Sequence, residues 1–134
     1  MSLSDVELIA AATEARNKAY APYSTYYVGA ALIDEKDKVH VGCNVENSSF
    51  PLGTCAEAGA ISSMIASGGK KIKVIAAVGG RESLEACTPC GGCRQRINEF
   101  ADADTRIVVL DEQGQLASYS MDEMLPESFR LERK

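Results

Sequence analysis

Three cysteines and one glutamate carry the strongest chemical signal in this sequence. Cys55 and Glu57 stand in Thr54-Cys55-Ala56-Glu57, and Cys90 and Cys93 in Pro89-Cys90-Gly91-Gly92-Cys93. Thiolates are good soft ligands for zinc, and two cysteines three positions apart at a helix start can both face one ion. Three protein ligands leave the fourth tetrahedral position of zinc open, and a water held there ionises near neutral pH. Glu57, two residues beyond Cys55, reaches such a water without ligating the metal. The chemistry implied is hydrolysis with one zinc ion per chain, held by Cys55, Cys90 and Cys93, with Glu57 moving the protons.

Other readings of the same residues are weaker. Thr54-x-x-Glu57 is also a helix capping box, in which Glu57 would only tie down the helix start. That reading leaves Cys55 without a role. Cys87-x-x-Cys90-x-x-Cys93 has iron–sulfur spacing, but the fourth cysteine that pattern needs is missing, because Ile97-Asn98 stands in its place. A closed site of Cys55, Cys87, Cys90 and Cys93 would be structural and would waste Glu57. Cys87 is expected beside the site without ligating. Cys43, at a strand end, reads as a small buried apolar residue, and the lone His40 as structural.

The elements that must position these residues follow from periodicity and caps. Ser4-x-x-Glu7 opens a helix with an apolar stripe at Leu8, Ala11, Ala12, Ala15 and Ala19, and Pro22 closes it. Residues 28–33 and 39–43 read as a hairpin around a five-residue polar loop. A second helix runs from Thr54 to Ser67 and stops at Gly68-Gly69. Ile72-Lys73-Val74-Ile75-Ala76-Ala77-Val78 reads as a central parallel strand buried on both faces, followed by a polar loop over 79–86. Thr88 and Pro89 read as N-cap and first residue of a helix to about Phe100. Residues 106–110 and 116–120 read as strands joined by a polar turn, and Ser120-x-x-Glu123 starts a last short helix. Strands alternating with helices imply helices on both faces of a sheet with parallel pairings. Consecutive strand–helix units bring two helix starts to one sheet edge, where ligands usually sit. Cys55 belongs to one start, Cys90 and Cys93 to the other.

At 134 residues the chain is read as one domain, 1–134, long enough for a single core. Fourteen basic against nineteen acidic residues leave a net charge of −5, which disfavours a nucleic-acid backbone and points to a free small-molecule substrate. No apolar run approaches membrane-spanning length and no secretory leader is recognisable. Five cysteines, an odd number, then suit metal binding in a reducing, cytoplasmic setting better than disulfides.

The order and spacing of several blocks resemble a cytidine deaminase of the small three-cysteine zinc type. They run from Ala21-Pro22-Tyr23-Ser24 through Val28-Gly29-Ala30-Ala31-Leu32 and Gly42-Cys43-Asn44-Val45-Glu46-Asn47 to Pro89-Cys90-Gly91-Gly92-Cys93-Arg94-Gln95. The resemblance implies an α/β fold, a three-layer α-β-α sandwich around a mixed five-stranded sheet. It implies zinc-dependent hydrolytic deamination of cytidine and deoxycytidine in pyrimidine salvage. Deamination of another amino-heterocycle or an aminonucleoside antibiotic on the same fold is the alternative. By the same resemblance Asn44 and Glu46 hold the ribose, Tyr26 lies beside the pyrimidine, and Ala56 is a further substrate-binding residue. Phe50 and Phe129 complete pockets shared between subunits of a homotetramer. Relatives of this type often carry an arginine directly after Cys-Ala-Glu, where this chain has Ala58; Arg94 and Arg96 are the candidates to compensate, and Arg94, which the family's Cys-Arg-Gln block supplies, is the one expected to donate to a zinc-bound sulfur.

Overall fold

Side-chain alternation along one strand sets the layering. The computed structural model describes residues 3–133. Strand β1 (Tyr27–Asp34) sends Ala30 and Leu32 to one face of a sheet and Ala31 and Ile33 to the other, all essentially inaccessible to water. Helix α1 (Asp5–Arg16) covers the second face with Leu8, Ile9 and Ala12. Helices α2 (Ala56–Ala66) and α3 (Gly91–Glu99), with the short α4 (Met121–Met124), cover the first. The result is a three-layer α-β-α sandwich, as the sequence implies.

The sheet is completed by β2 (Val39–Cys43), β3 (Ile72–Gly80), β4 (Arg106–Leu110) and β5 (Leu116–Ser120), in the order β2-β1-β3-β4-β5. Strand β1 is antiparallel to both neighbours, β3 and β4 are parallel, and β5 returns antiparallel to β4. The buried strand β3 is therefore parallel on one side only. It also runs two residues past Val78, because Tyr27 and Val28 pair with Gly80 and Gly79 where a loop was expected. Since β2 and β3 both oppose β1, they point the same way, and the helices that follow them start at one edge. Among the described residues no helix is long and apolar enough to cross a membrane.

Both helix starts differ from the sequence reading. Thr54 pairs through its backbone with Val45, so no Thr54 capping box forms and Cys55 is the N-cap of α2. Likewise α3 begins after Cys90, its N-cap, two residues later than the Thr88-Pro89 signal suggests. The Ser4 and Ser120 capping boxes do form, and α1 ends at Arg16, well before Pro22.

Two glycines let helices touch the sheet backbone to backbone. A Cβ on Gly42 would fall 2.4 Å from the Ala56 carbonyl oxygen and 2.5 Å from the Ala60 nitrogen of α2. One on Gly29 would fall 2.0 Å from the Ala12 carbonyl oxygen of α1. The hairpin between β1 and β2 is held by buried Asp34. Its carboxylate accepts the amides of Lys36 and Lys38 at 2.8 and 3.0 Å and contacts His40 Nε2 at 2.8 Å, so the single histidine is structural. Burial works against the Asp34 charge, but His40 and the two amides outweigh it and hold its pKa below the usual value.

Gly42→Ala should destabilise the protein by about 1–3 kcal/mol or more, because backbone and not a flexible side chain must give way; the midpoint of urea unfolding measures this. For Asp34 the folded pKa is depressed, so its stabilisation is present above the ordinary carboxylate pKa of about 3.9 and lost as pH falls through the lower folded value. The urea midpoint of wild type should therefore exceed that of Asp34→Asn at pH 7, and the gap should close in strong acid.

Candidate metal centre and active-site cavity

Cysteine at an N-cap is unusual, since it forms no side-chain cap hydrogen bond here. What it gains is the helix's free N–H groups and partial positive charge, both of which favour a thiolate. Two such starts face each other across the sheet edge. The sulfurs of Cys55, Cys90 and Cys93 lie within 4.8 Å of one another. Cys93 is buried, Cys55 partly so, and Cys90 is exposed. The fourth nearby thiol, Cys87, lies outside this trio.

The electrostatics show what the cluster lacks. Burial pushes the Cys93 thiol well above its usual pKa, and the negative charges of Glu57 and Cys55 push it further. Glu57 is 5% exposed, and burial raises its pKa too. Three mutually repelling soft donors at tetrahedral-site spacing, beside a buried carboxylate, form a donor set that one divalent soft cation would satisfy. The residues thus fit a zinc ion held by Cys55, Cys90 and Cys93, with Glu57 alongside and not part of the trio.

These groups line a cavity of about 540 Å³. Ala56, Glu57 and the three cysteines form its floor, and Tyr26, Val28, Asn44, Glu46 and Phe50 its walls. Asn44 is used first by the backbone: its Oδ1 accepts the Val28 amide at 2.8 Å and its Nδ2 donates to the Tyr26 carbonyl at 2.9 Å. One Nδ2 hydrogen is left over, because an amide nitrogen has two. Glu46 accepts the amides of Tyr23 and Ser24 at 3.0 and 3.1 Å and the Ser24 hydroxyl. The Ser24 hydroxyl, foremost, holds the Glu46 pKa below the usual range. Tyr26 is pushed up to about 12 by burial and by its hydrogen bond with the Cys87 thiol. Its polar edge therefore faces Cys87, a pairing the sequence reading did not contain.

Two expected residues sit elsewhere. Arg94 does not donate to a sulfur: its three nitrogens bond the Pro89 carbonyl at 2.7 Å, the Met124 carbonyl at 2.9 Å and the Thr88 hydroxyl at 3.1 Å. It ties the start of α3 to the end of α4. The sulfur contact belongs to Arg96, whose Nη1 lies 3.5 Å from Cys93 Sγ. Phe129 is 66% exposed and is not among the cavity walls; its carbonyl accepts from Gln95. Phe50, at the rim, is 76% exposed.

Comparison with known proteins agrees with this geometry. Residues 3–110 match the family described as the cytidine and deoxycytidylate deaminase zinc-binding region. A cytidine deaminase of Sporosarcina psychrophila is 37% identical over 129 residues, covering 96% of this chain and 93% of that protein. Another, from Halalkalibacterium halodurans, is 38% identical over 93% of both chains. A 1.6 Å crystal structure of cytidine deaminase from Burkholderia pseudomallei superposes with a TM-score of 0.85 at 41% identity, covering 95% of this chain and all of that one.

Metal analysis of purified protein should find one zinc per chain. Cys87→Ser should keep it, whereas Cys93→Ala should lose most of it, because only the latter removes a member of the trio. Zinc loss in Cys87→Ser would argue for a closed four-thiolate site.

Proposed function

The chain belongs to the cytidine and deoxycytidylate deaminase family, and from that premise we propose that it is a zinc-dependent aminohydrolase converting cytidine, and deoxycytidine, to the uridine product and ammonia. The observation that carries this reading is the buried Glu57 carboxylate on the floor of a nucleoside-sized cavity, beside three sulfurs at two helix starts.

Zinc, when bound, supplies the Lewis acid that makes water reactive near neutral pH. The rest falls to the chain. Glu57 takes a proton from the attacking water and delivers it to N3 of the ring, while the water oxygen bonds to C4. It then carries the second proton to the exocyclic amino group, the C4–N bond breaks, and ammonia leaves. Burial, by raising the proton affinity of Glu57, suits a carboxylate that must serve as base and then as acid. Asn44 has a spare N–H for a ribose hydroxyl. Glu46, kept ionised by its three donors, has lone pairs left for another. Tyr26 walls the pyrimidine, and the Ala56 amide, at the first turn of α2, is free for the substrate.

We assign the whole chain to one catalytic domain, acting as a homotetramer in the cytoplasm. Oligomerisation is supported by apolar side chains left in water around the cavity mouth and tail, with Phe50 at 76%, Leu52 at 68%, Phe129 at 66% and Leu131 at 73% exposure. In such an assembly Phe50 and Phe129 would meet a neighbouring subunit's pocket. The compartment is supported by three reduced thiols at the site, which need a reducing milieu. A net charge of −5 supports a free nucleoside over a nucleic acid as substrate. The Tyr26–Cys87 pair adds polarity beside the base site, and this favours testing other amino-heterocycles alongside cytidine.

The expected result is loss of cytidine absorbance on incubation with zinc-loaded protein. Glu57→Gln should lower kcat by at least ~10²-fold with zinc retained. Near-normal turnover in that variant would remove Glu57 from the mechanism, and turnover of another amine with none of cytidine would reassign the substrate.

A further inference from the structure

The metal centre has a charge problem that its ligands cannot solve. Three thiolates exceed the two charges of zinc by one, and ionised Glu57 adds a further negative charge beside them. Helix starts offset part of this, but their partial charges fall off within the first turn. The residue after Glu57 on α2 is Ala58, which brings no charge. Arg94, on α3, spends its donors on backbone and on Thr88. Cys87, the remaining nearby thiol, is held neutral by burial.

We propose that Arg96 is the positioning residue that balances this centre, its Nη1 donating to Cys93 Sγ at 3.5 Å from one turn further along α3. This rests on the zinc-deaminase reading above. Three features carry it. Residues three apart on a helix lie on one face, so Arg96 stacks over Cys93 without strain. The sulfur it meets is the buried one of the trio, where water cannot do the same work. Its guanidinium is also felt by Glu57 and by the charges of Cys55 and Cys90, so it serves the cluster and not one ligand. Arg96 is not among the residues lining the cavity, and therefore acts through the sulfur without touching substrate. By drawing electron density from Cys93 it would leave a bound metal a stronger Lewis acid, and its positive charge sits against the excess negative charge of the ligand set.

The test follows zinc transfer from holoprotein to excess chelator, read by a colorimetric zinc indicator, beside steady-state kinetics. Arg96→Met should release zinc about 10–100-fold faster than wild type, the range typical for removal of a group behind a metal ligand. Its kcat should fall while KM for cytidine stays within about twofold, because the pocket walls are untouched. Arg96→Lys, which keeps the charge, should lie between the two. Arg96→Gln carries the same expectation as Arg96→Met should the latter fail to fold. Zinc release from Arg96→Met or Arg96→Gln at the wild-type rate would overturn the proposal and leave the deaminase reading standing. Wild-type protein that binds no zinc would instead remove the reading on which it rests.

Discussion

Repulsion among like groups in a small volume is the constraint on which this protein is built. Three sulfurs lie within 4.8 Å of one another beside a carboxylate that is 5% exposed. Without a cation such groups favour their protonated forms: burial raises the pKa of Cys93 and Glu57 alike, and the neighbouring negative charges raise that of Cys93 further. A divalent cation reverses the situation, so the site is at once an unfavourable apo arrangement and a favourable holo one. Helix starts at Cys55 and Cys90, with Arg96 behind Cys93, moderate the repulsion in the folded chain. Metal binding and the local fold are in this sense one equilibrium.

The sheet makes that convergence possible. Strands β2 and β3 run the same way on either side of the antiparallel β1, so the segments after them emerge at one edge. Two polar straps then fix the edge. Asn44 bonds the backbone of Tyr26 and Val28 as β1 begins, setting the wall of the cavity. Arg94 bonds Pro89, Thr88 and Met124, setting where α3 starts and with it the height of Cys90. Each strap does structural work that also places a wall or a ligand.

How much of this was legible in the sequence depends on the range of the interaction. Element order, the helices on both faces of the sheet and the convergence of Cys55 with Cys90 and Cys93 followed from periodicity and residue type, because they rest on burial and on donor chemistry. Helix starts were misjudged at Thr54 and Thr88, where side-chain capping propensity lost to tertiary pairing: Thr54 is drawn into a bridge with Val45, and Cys55 and Cys90 occupy the caps. The arginine assignment failed on geometry that spacing contains. Arg94, one residue after Cys93, points about 100° round the helix, while Arg96, three after it, shares its face. The Tyr26–Cys87 pair joins loops sixty-one positions apart and had no local signature.

The contact of Gly42 with α2 has a consequence for how the molecule tolerates change. A helix that rests on side chains moves when those side chains are exchanged, and anything mounted on it moves too. Here the helix bearing Cys55 and Glu57 is seated main chain against main chain at its first turn, a hard stop with no adjustable spacer. The interior beyond it is free to drift in volume and composition while the reacting groups keep their datum, which uncouples the upkeep of the core from the tolerances of the chemistry.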